Sequence, residues 1–294
     1  MSLLYNASKH LQRILVYHPY TLYLFTKSDI KTTILPITAF AAAVTPKVQL
    51  IGLFHSVCWI WLHLLQFNVS NQCLSIEEDS LNKSDRPLPS NRLTLQSAKI
   101  LRWILLPLCL AQSSWFSPMM LWISSVLSAA FMLYNELGGH AIHWSSRNIM
   151  NAFGLSLFEA GAALAISQDP TQLTPLASLG ICISGLVYLT TFHAQDFKDI
   201  HGDILVGRST LPILWPDIAR ISMFIGMMAW SVILSLFWQL DLATSVAFAV
   251  MGSFTGYRFT KRTKVVEDQI SFYWYNGWVS FVHILPAYYR YFYM

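Results

Sequence analysis

Charge is scarce in this sequence. Asp, Glu, Lys and Arg supply 12% of its 294 residues, where an ordinary soluble domain carries about a quarter. Hydrophobic residues supply 54% and the mean hydropathy is +0.45, a balance that excludes a soluble single domain and points to an integral membrane protein. Cysteine is sparse as well. Cys58, Cys73, Cys109 and Cys182 stand singly in or beside apolar runs, so neither a disulfide framework nor a zinc site is expected. No cleavable signal is evident in the mixed opening MSLLYNASKHLQRILVYHPY, and the first spanning helices are expected to serve as the insertion signal. Inverted repeats and broken helices are missing too, which argues against a transporter.

The charge that is present is segregated. It falls in an N-terminal arm and four polar islands, leaving apolar segments at 31–46, 50–72, 97–113, 115–135, 148–167, 173–194, 218–238, 241–258 and 270–290. Helices of this length match a hydrocarbon core of about 30 Å. The expectation is an all-α integral membrane protein, nine transmembrane helices over 31–294 preceded by a cytoplasmic or interfacial arm over 1–30. Of the nineteen Lys and Arg, only Lys47 and Arg290 fall on the side reached after odd-numbered segments. The positive-inside rule therefore puts the N-terminus and all four islands in the cytoplasm.

The island after the sixth segment, HAQDFKDIHGDILVGRSTLP, holds Asp196, Asp199 and Asp203 at spacings of three and four, which places them on one face if the helix continues. Carboxylates so close raise each other's pKa unless a cation neutralises them. Mg²⁺ is the natural candidate, since it binds through one or two carboxylates and substrate phosphate oxygens. Lys198 and Arg208, the latter beside the flexible Gly207, add the cations that a diphosphate requires. The island after the second segment, NQCLSIEEDSLNKSDRPLPSNR, repeats the pattern. Asn71, Ser75 and Asp79 line one helical face with Glu78 close by, Asn68 sits a turn earlier, and Lys83 and Arg86 follow as cations. One metal-diphosphate cluster needs ligands from two sides, and two such islands would supply them. Either island alone also reads as an ordinary solvated loop.

Asn71, Asp79, Asn82, Lys83, Arg86 and Pro87, with Asp196, Asp199, Gly202, Asp203, Gly207 and Thr210-Leu211-Pro212, resemble the paired Asp-rich motifs of the UbiA superfamily of membrane prenyltransferases. The order of the motifs and the nine segments match that family along essentially the whole chain. Ser75 departs from the usual N-x-x-x-D-x-x-x-D, with Glu77 and Glu78 supplying extra acid nearby, and the phrases YNELG and AQDFKD look most like fungal membrane-bound terpene cyclases. The resemblance implies a central cavity under a cytoplasmic cap, with Mg²⁺ ions bridging Glu78, Asp79, Asp196, Asp199 and Asp203 to a prenyl diphosphate. It implies that Asn68, Asn71, Lys83, Arg86, Arg147, Asn151, Lys198 and Arg208 bind that substrate. It gives the bilayer as the other partner, no nucleic acid, no protein partner that can be specified, and the endoplasmic reticulum as the site if the chain is fungal.

Other residues have two readings each. Arg147, His140 and His143 in the third island, and Lys27 and Lys31 before the first segment, have both a phosphate-contacting reading and a solvated or headgroup-facing one, the solvated reading leading for the two histidines. The basic fourth island, RFTKRTKVVED, reads as a topological feature. The last segment is rich in rings: Phe272, Tyr273, Trp274, Tyr275, Trp278 and Phe281. Two or three of these are expected to face the cavity and stabilise a carbocation. Glu159, an acid at membrane depth, is expected to face a cavity or partner, as are His55, His63 and His283 unless interhelical hydrogen bonds account for them. Three functions compete: a terpene cyclase acting on farnesyl diphosphate, an intermolecular prenyltransferase, and a transporter.

Overall fold

In the computed structural model, which describes residues 13–294, a helix forms over each of the nine apolar segments. The first twelve residues of the expected arm, and the side chain of Asn82, lie outside what it describes. A short helix α1 (His18–Thr26) and an irregular turn lead into α2 (Leu35–Val44). Then come α3 (Leu50–Leu74), the short α4 (Ile76–Asn82), α5 (Leu95–Phe116), α6 (Pro118–Asn135) and α7 (Trp144–Ile166). The chain continues as α8 (Pro175–Thr191), α9 (Asp196–Leu205), the single turn α10 (Leu211–Leu214), α11 (Pro216–Phe237), α12 (Leu242–Lys261) and α13 (Val265–Tyr293). No strand occurs among the described residues.

Local chemistry sets many of these boundaries. Pro118, Pro175 and Pro216 stand in the first turns of α6, α8 and α11, where a missing N–H costs nothing and the fixed φ suits a helix. Ser117, Thr174 and Asp241 cap α6, α8 and α12 by accepting N–H bonds from the first turn. The last helix starts earlier than its hydropathy suggests, at Val265. Asp268 is buried in its first turn because Arg220 grips both carboxylate oxygens at 2.9 Å. Val265 to Asp268 of the fourth island are therefore helix rather than loop.

The helices pack as a closed ring. Each long helix meets its neighbour in order, and α13 returns against α2. Among the described residues five helical stretches, Leu50–Leu74, Pro118–Asn135, Trp144–Ile166, Pro175–Leu205 and Pro216–Phe237, are long and apolar enough to cross a membrane. Large apolar side chains such as Phe54, Ile104, Trp122 and Ile225 face outward, while hydroxyls and rings pair between helices. Trp59 donates to Ser113 (2.9 Å), His63 meets Ser124 (2.7 Å) and Trp278 donates to Ser231 (2.9 Å). Interhelical hydrogen bonds of this kind join helices where apolar burial gives no drive, and they account for His63 without a functional role.

Close approach is tightest where α3 meets α7. A Cβ on Gly161 would overlap the six-membered ring of Trp59, which is fully buried. Gly161→Ala is expected to destabilise the protein by about 1–3 kcal/mol through overpacking, measured as a lowered unfolding midpoint in detergent, whereas Gly154→Ala, with open space around it, should not.

Candidate active site

The helical face expected for Asn71, Ser75 and Asp79 is interrupted. Ser75 leaves helical geometry (φ −121°, ψ 32°) and α4 restarts at Ile76. All three side chains nevertheless line one cavity of about 320 Å³, enclosed by the ring. Ser75 Oγ donates to the Asn71 carbonyl at 2.9 Å, so its hydroxyl is used within its own turn. Asn71 Nδ2 donates to Asn135 Oδ1 (3.0 Å), and Asn68 Nδ2 to the Phe25 carbonyl and Asp29 Oδ2 (3.0 and 2.8 Å). These amides reach the cavity while tying α3 to α6 and to the arm.

On the opposite side α8 ends at Thr191, a tight turn follows, and α9 begins at Asp196. The three aspartates separate in role. Asp199 lines the cavity beside Lys198, whose Nζ is 2.5 Å from its Oδ2. Asp196 and Asp203 are buried behind the wall and do not line the cavity. Arg147, from the first turn of α7, lies 3.3 Å from Asp196 and 3.5 Å from Asp203. Arg208 closes the arrangement, since it pairs with Asp203 on its own island and with Glu78 Oε2 (3.2 Å) on the first. The two acidic islands, 130 residues apart in the chain, thus converge through one guanidinium. Asp79 has its own partner, Arg86, at 2.7 Å.

Charge is therefore interleaved across the mouth of the cavity. Burial pushes the Asp79 carboxyl above the usual carboxylate range, and Arg86 opposes that shift. Burial, with Arg86 and Lys198 nearby, pulls Lys83 below the usual lysine range, opposed by Asp199 and Asp29. Among the described residues no three His, Cys, Asp or Glu side chains form a metal cage by themselves. The donor set still suits a hard cation that takes one or two carboxylates and fills its shell with phosphate and water. Asp196 Oδ1 and Asp203 Oδ2 are buried oxygens without a hydrogen-bond partner.

Of the residues singled out by sequence, Asn68, Asn71, Glu78, Asp79, Lys83, Arg86, Arg147, Asn151, Lys198, Asp199 and Arg208 line the cavity, while Asp196 and Asp203 stand behind it. His143 instead caps α7, accepting from the Ser145 N–H while its own N–H donates to Ser146 Oγ. His140 lines the cavity and meets the Tyr134 carbonyl at 2.6 Å. Lys31 also lines it, its Nζ 3.8 Å from the Tyr273 ring centre, whereas Lys27 pairs with the exposed Asp85. Phe272, Tyr273 and Tyr275 face the cavity, while Trp274, Trp278 and Phe281 do not. Tyr188, Gln195 and Asn276 also line it, and sequence reasoning missed them. Gln195, directly before Asp196, carried the clearest signal.

The UbiA prenyltransferase family model matches residues 32–278. The chain belongs to the UbiA family. It is an enzyme of that family and a multi-pass membrane protein, as the resemblance had implied. Fumagillin beta-trans-bergamotene synthase of Aspergillus fumigatus is 32% identical, with 92% of each chain covered. Diterpene cyclase eriG of Hericium erinaceus is 31% identical over 80% of this chain and 76% of its own. Polyprenyl transferase eriF of the same fungus is 28% identical over 90% and 92%. A UbiA homolog from Archaeoglobus fulgidus bound to GPP and Mg²⁺ superposes with a TM-score of 0.64 at 14% identity, covering 91% of this chain and 98% of the other.

The Ser75 departure from the UbiA pattern is testable. Ser75→Asp adds a carboxylate to the cavity wall; if the site takes Mg²⁺ with a diphosphate, the change is expected to lower the Mg²⁺ concentration needed for half-maximal pyrophosphate release by on the order of tenfold, as ligand charge tunes affinity. An unchanged titration would leave Glu78 as the acid that fills the missing position.

Proposed function

We propose that this UbiA enzyme is a Mg²⁺-dependent terpene cyclase. It takes a prenyl diphosphate, most simply the fifteen-carbon farnesyl species, and lets the carbocation close onto its own alkenes to a sesquiterpene while pyrophosphate leaves. The observation that carries this reading is the Arg208 bridge from Glu78 to Asp203 at the mouth of a ring-walled cavity. Glu78, Asp79 and Asp199, backed by Asp196 and Asp203, would hold Mg²⁺, which when bound neutralises the diphosphate and makes it a leaving group. Lys83, Arg86, Arg147, Lys198 and Arg208, with the Asn68, Asn71 and Asn151 amides, orient the diphosphate and stabilise the charge that develops on it. Below them Phe158, Phe272 and Tyr275 line the apolar part of the cavity. Such rings favour a nearby cation by about 0.5–2 kcal/mol each and offer no strong nucleophile, and their packing keeps out the water that would quench it.

Nine spans with the N-terminus, the islands and this mouth on the cytoplasmic side would set the diphosphate end in the cytosol and the hydrocarbon end in the bilayer. Arg290 reaches the Thr45 carbonyl, and only Pro46 separates Thr45 from Lys47, so the two cations assigned to the far side lie at one end of the molecule. That supports the topology, and a fungal source would place the protein in the endoplasmic reticulum. The alternative is an intermolecular prenyltransferase, favoured by the likeness to polyprenyl transferase eriF. Protein purified in detergent and given Mg²⁺ and farnesyl diphosphate alone is expected to release pyrophosphate and a volatile hydrocarbon. Turnover only after an aromatic acceptor is added would establish the transferase instead.

A further inference from the structure

Beneath the ring-lined part of the cavity lies a polar cluster that diphosphate binding does not use. Glu159 on α7, Ser184 and Tyr188 on α8 and His283 on α13 are all buried. His283 Nε2 is 3.0 Å from Glu159 Oε1, 3.2 Å from Ser184 Oγ and 3.3 Å from the Tyr188 hydroxyl. Ser184 Oγ donates to Glu159 Oε1 at 2.5 Å. Glu159 Oε2 and His283 Nδ1 have no partner, so every polar contact of the ring converges on Nε2. Of the four residues, Tyr188 alone lines the cavity. An acid and an imidazole held together at membrane depth are costly and mark a functional pair. A simple packing role would not need a carboxylate, an imidazole and two hydroxyls around one nitrogen.

We propose, resting on the cyclase reading, that this cluster accepts the proton that ends the carbocation cascade. A cyclised cation becomes a neutral hydrocarbon by losing a proton from the carbon beside it. The C–H bond breaks, its electron pair becomes the new alkene, and the proton goes to Tyr188 Oη as the phenolic proton passes to Nε2 of neutral His283. The imidazolium so formed holds its charge 3.0 Å from Glu159 Oε1, so the contact between carboxylate and ring turns favourable in the state that holds the proton. Water reaching the emptied cavity between turnovers takes the proton back. Tyr188 is the catalytic residue. His283 and Glu159 are positioning residues that act through it, and Ser184 orients the carboxylate.

The test reads two products separately. Tyr188→Phe, His283→Gln and Glu159→Gln would be assayed in detergent with Mg²⁺ and farnesyl diphosphate, following pyrophosphate release and the hydrocarbon composition by gas chromatography and mass spectrometry. The share of the principal hydrocarbon is expected to fall by on the order of a hundredfold, the usual scale of a general base, with alcohols and differently placed alkenes appearing. Pyrophosphate release should fall far less. Wild-type composition in Tyr188→Phe and Glu159→Gln would overturn the proposal. So would a parallel loss of both readouts in all three variants, which would make the cluster structural. If the unaltered enzyme releases no pyrophosphate without an acceptor, the cyclase reading itself fails, and this proposal with it.

Discussion

Asp199→Ala is expected to abolish pyrophosphate release while leaving the fold intact. Asp199 is the one carboxylate of the second island that faces the cavity, and it is held there by Lys198. It sits at the half-buried rim rather than in the packed interior, so its loss removes charge from the site without opening a void. Losing a preorganised group of this kind costs about two to three orders of magnitude in turnover, and here the same residue would also hold the metal. Chelating Mg²⁺ from the unaltered enzyme should give the same result, with activity restored when the metal returns. The measurement is pyrophosphate release beside the thermal unfolding midpoint. Retained turnover in the variant would remove Asp199 from the metal-binding set.

Arg147→Met is expected to be the most destabilising change at the site. Arg147 is buried between Asp196 and Asp203, both also buried. Removing one partner of a buried pair leaves an uncompensated charge, a cost of about 3–5 kcal/mol. Asp203 keeps Arg208 as a second cation, but Asp196 has no other ion-pair partner among the described residues. The double variant Arg147→Met/Asp196→Asn should therefore recover a large part of the lost stability, since the charge left stranded is gone. Unfolding midpoints of the two single variants and the double variant form the cycle that checks this. Strict additivity would mean that the two residues do not interact.

Much of this architecture is local and therefore legible. The apolar segments, their proline and hydroxyl punctuation, and the two acid-plus-base islands all follow from neighbouring residues, and helices form where they indicate. The departures have physical causes. The expected face is divided at Ser75 because the helix carrying Asn71 ends at Leu74 and a new one starts at Ile76, and the last helix takes in Asp268 because Arg220 neutralises it from another helix. His63 and Glu159 looked alike as polar residues at membrane depth, yet His63 is satisfied by Ser124 and the Trp59 carbonyl, while Glu159 joins His283 beneath the cavity. Nothing near either residue distinguishes them.

By itself the sequence determined an all-helical membrane chain, the places where its charge is concentrated and the family to which it belongs, because hydropathy, periodicity and motif spacing act over one or two turns. Only the tertiary structure decided that Arg208 links Glu78 to Asp203, that Asp199 faces the cavity while Asp196 and Asp203 back it, and that three rings of the last helix turn inward. Those outcomes depend on how far each helix rotates when α13 closes the ring against α2, and that rotation is set by packing between residues far apart in the chain.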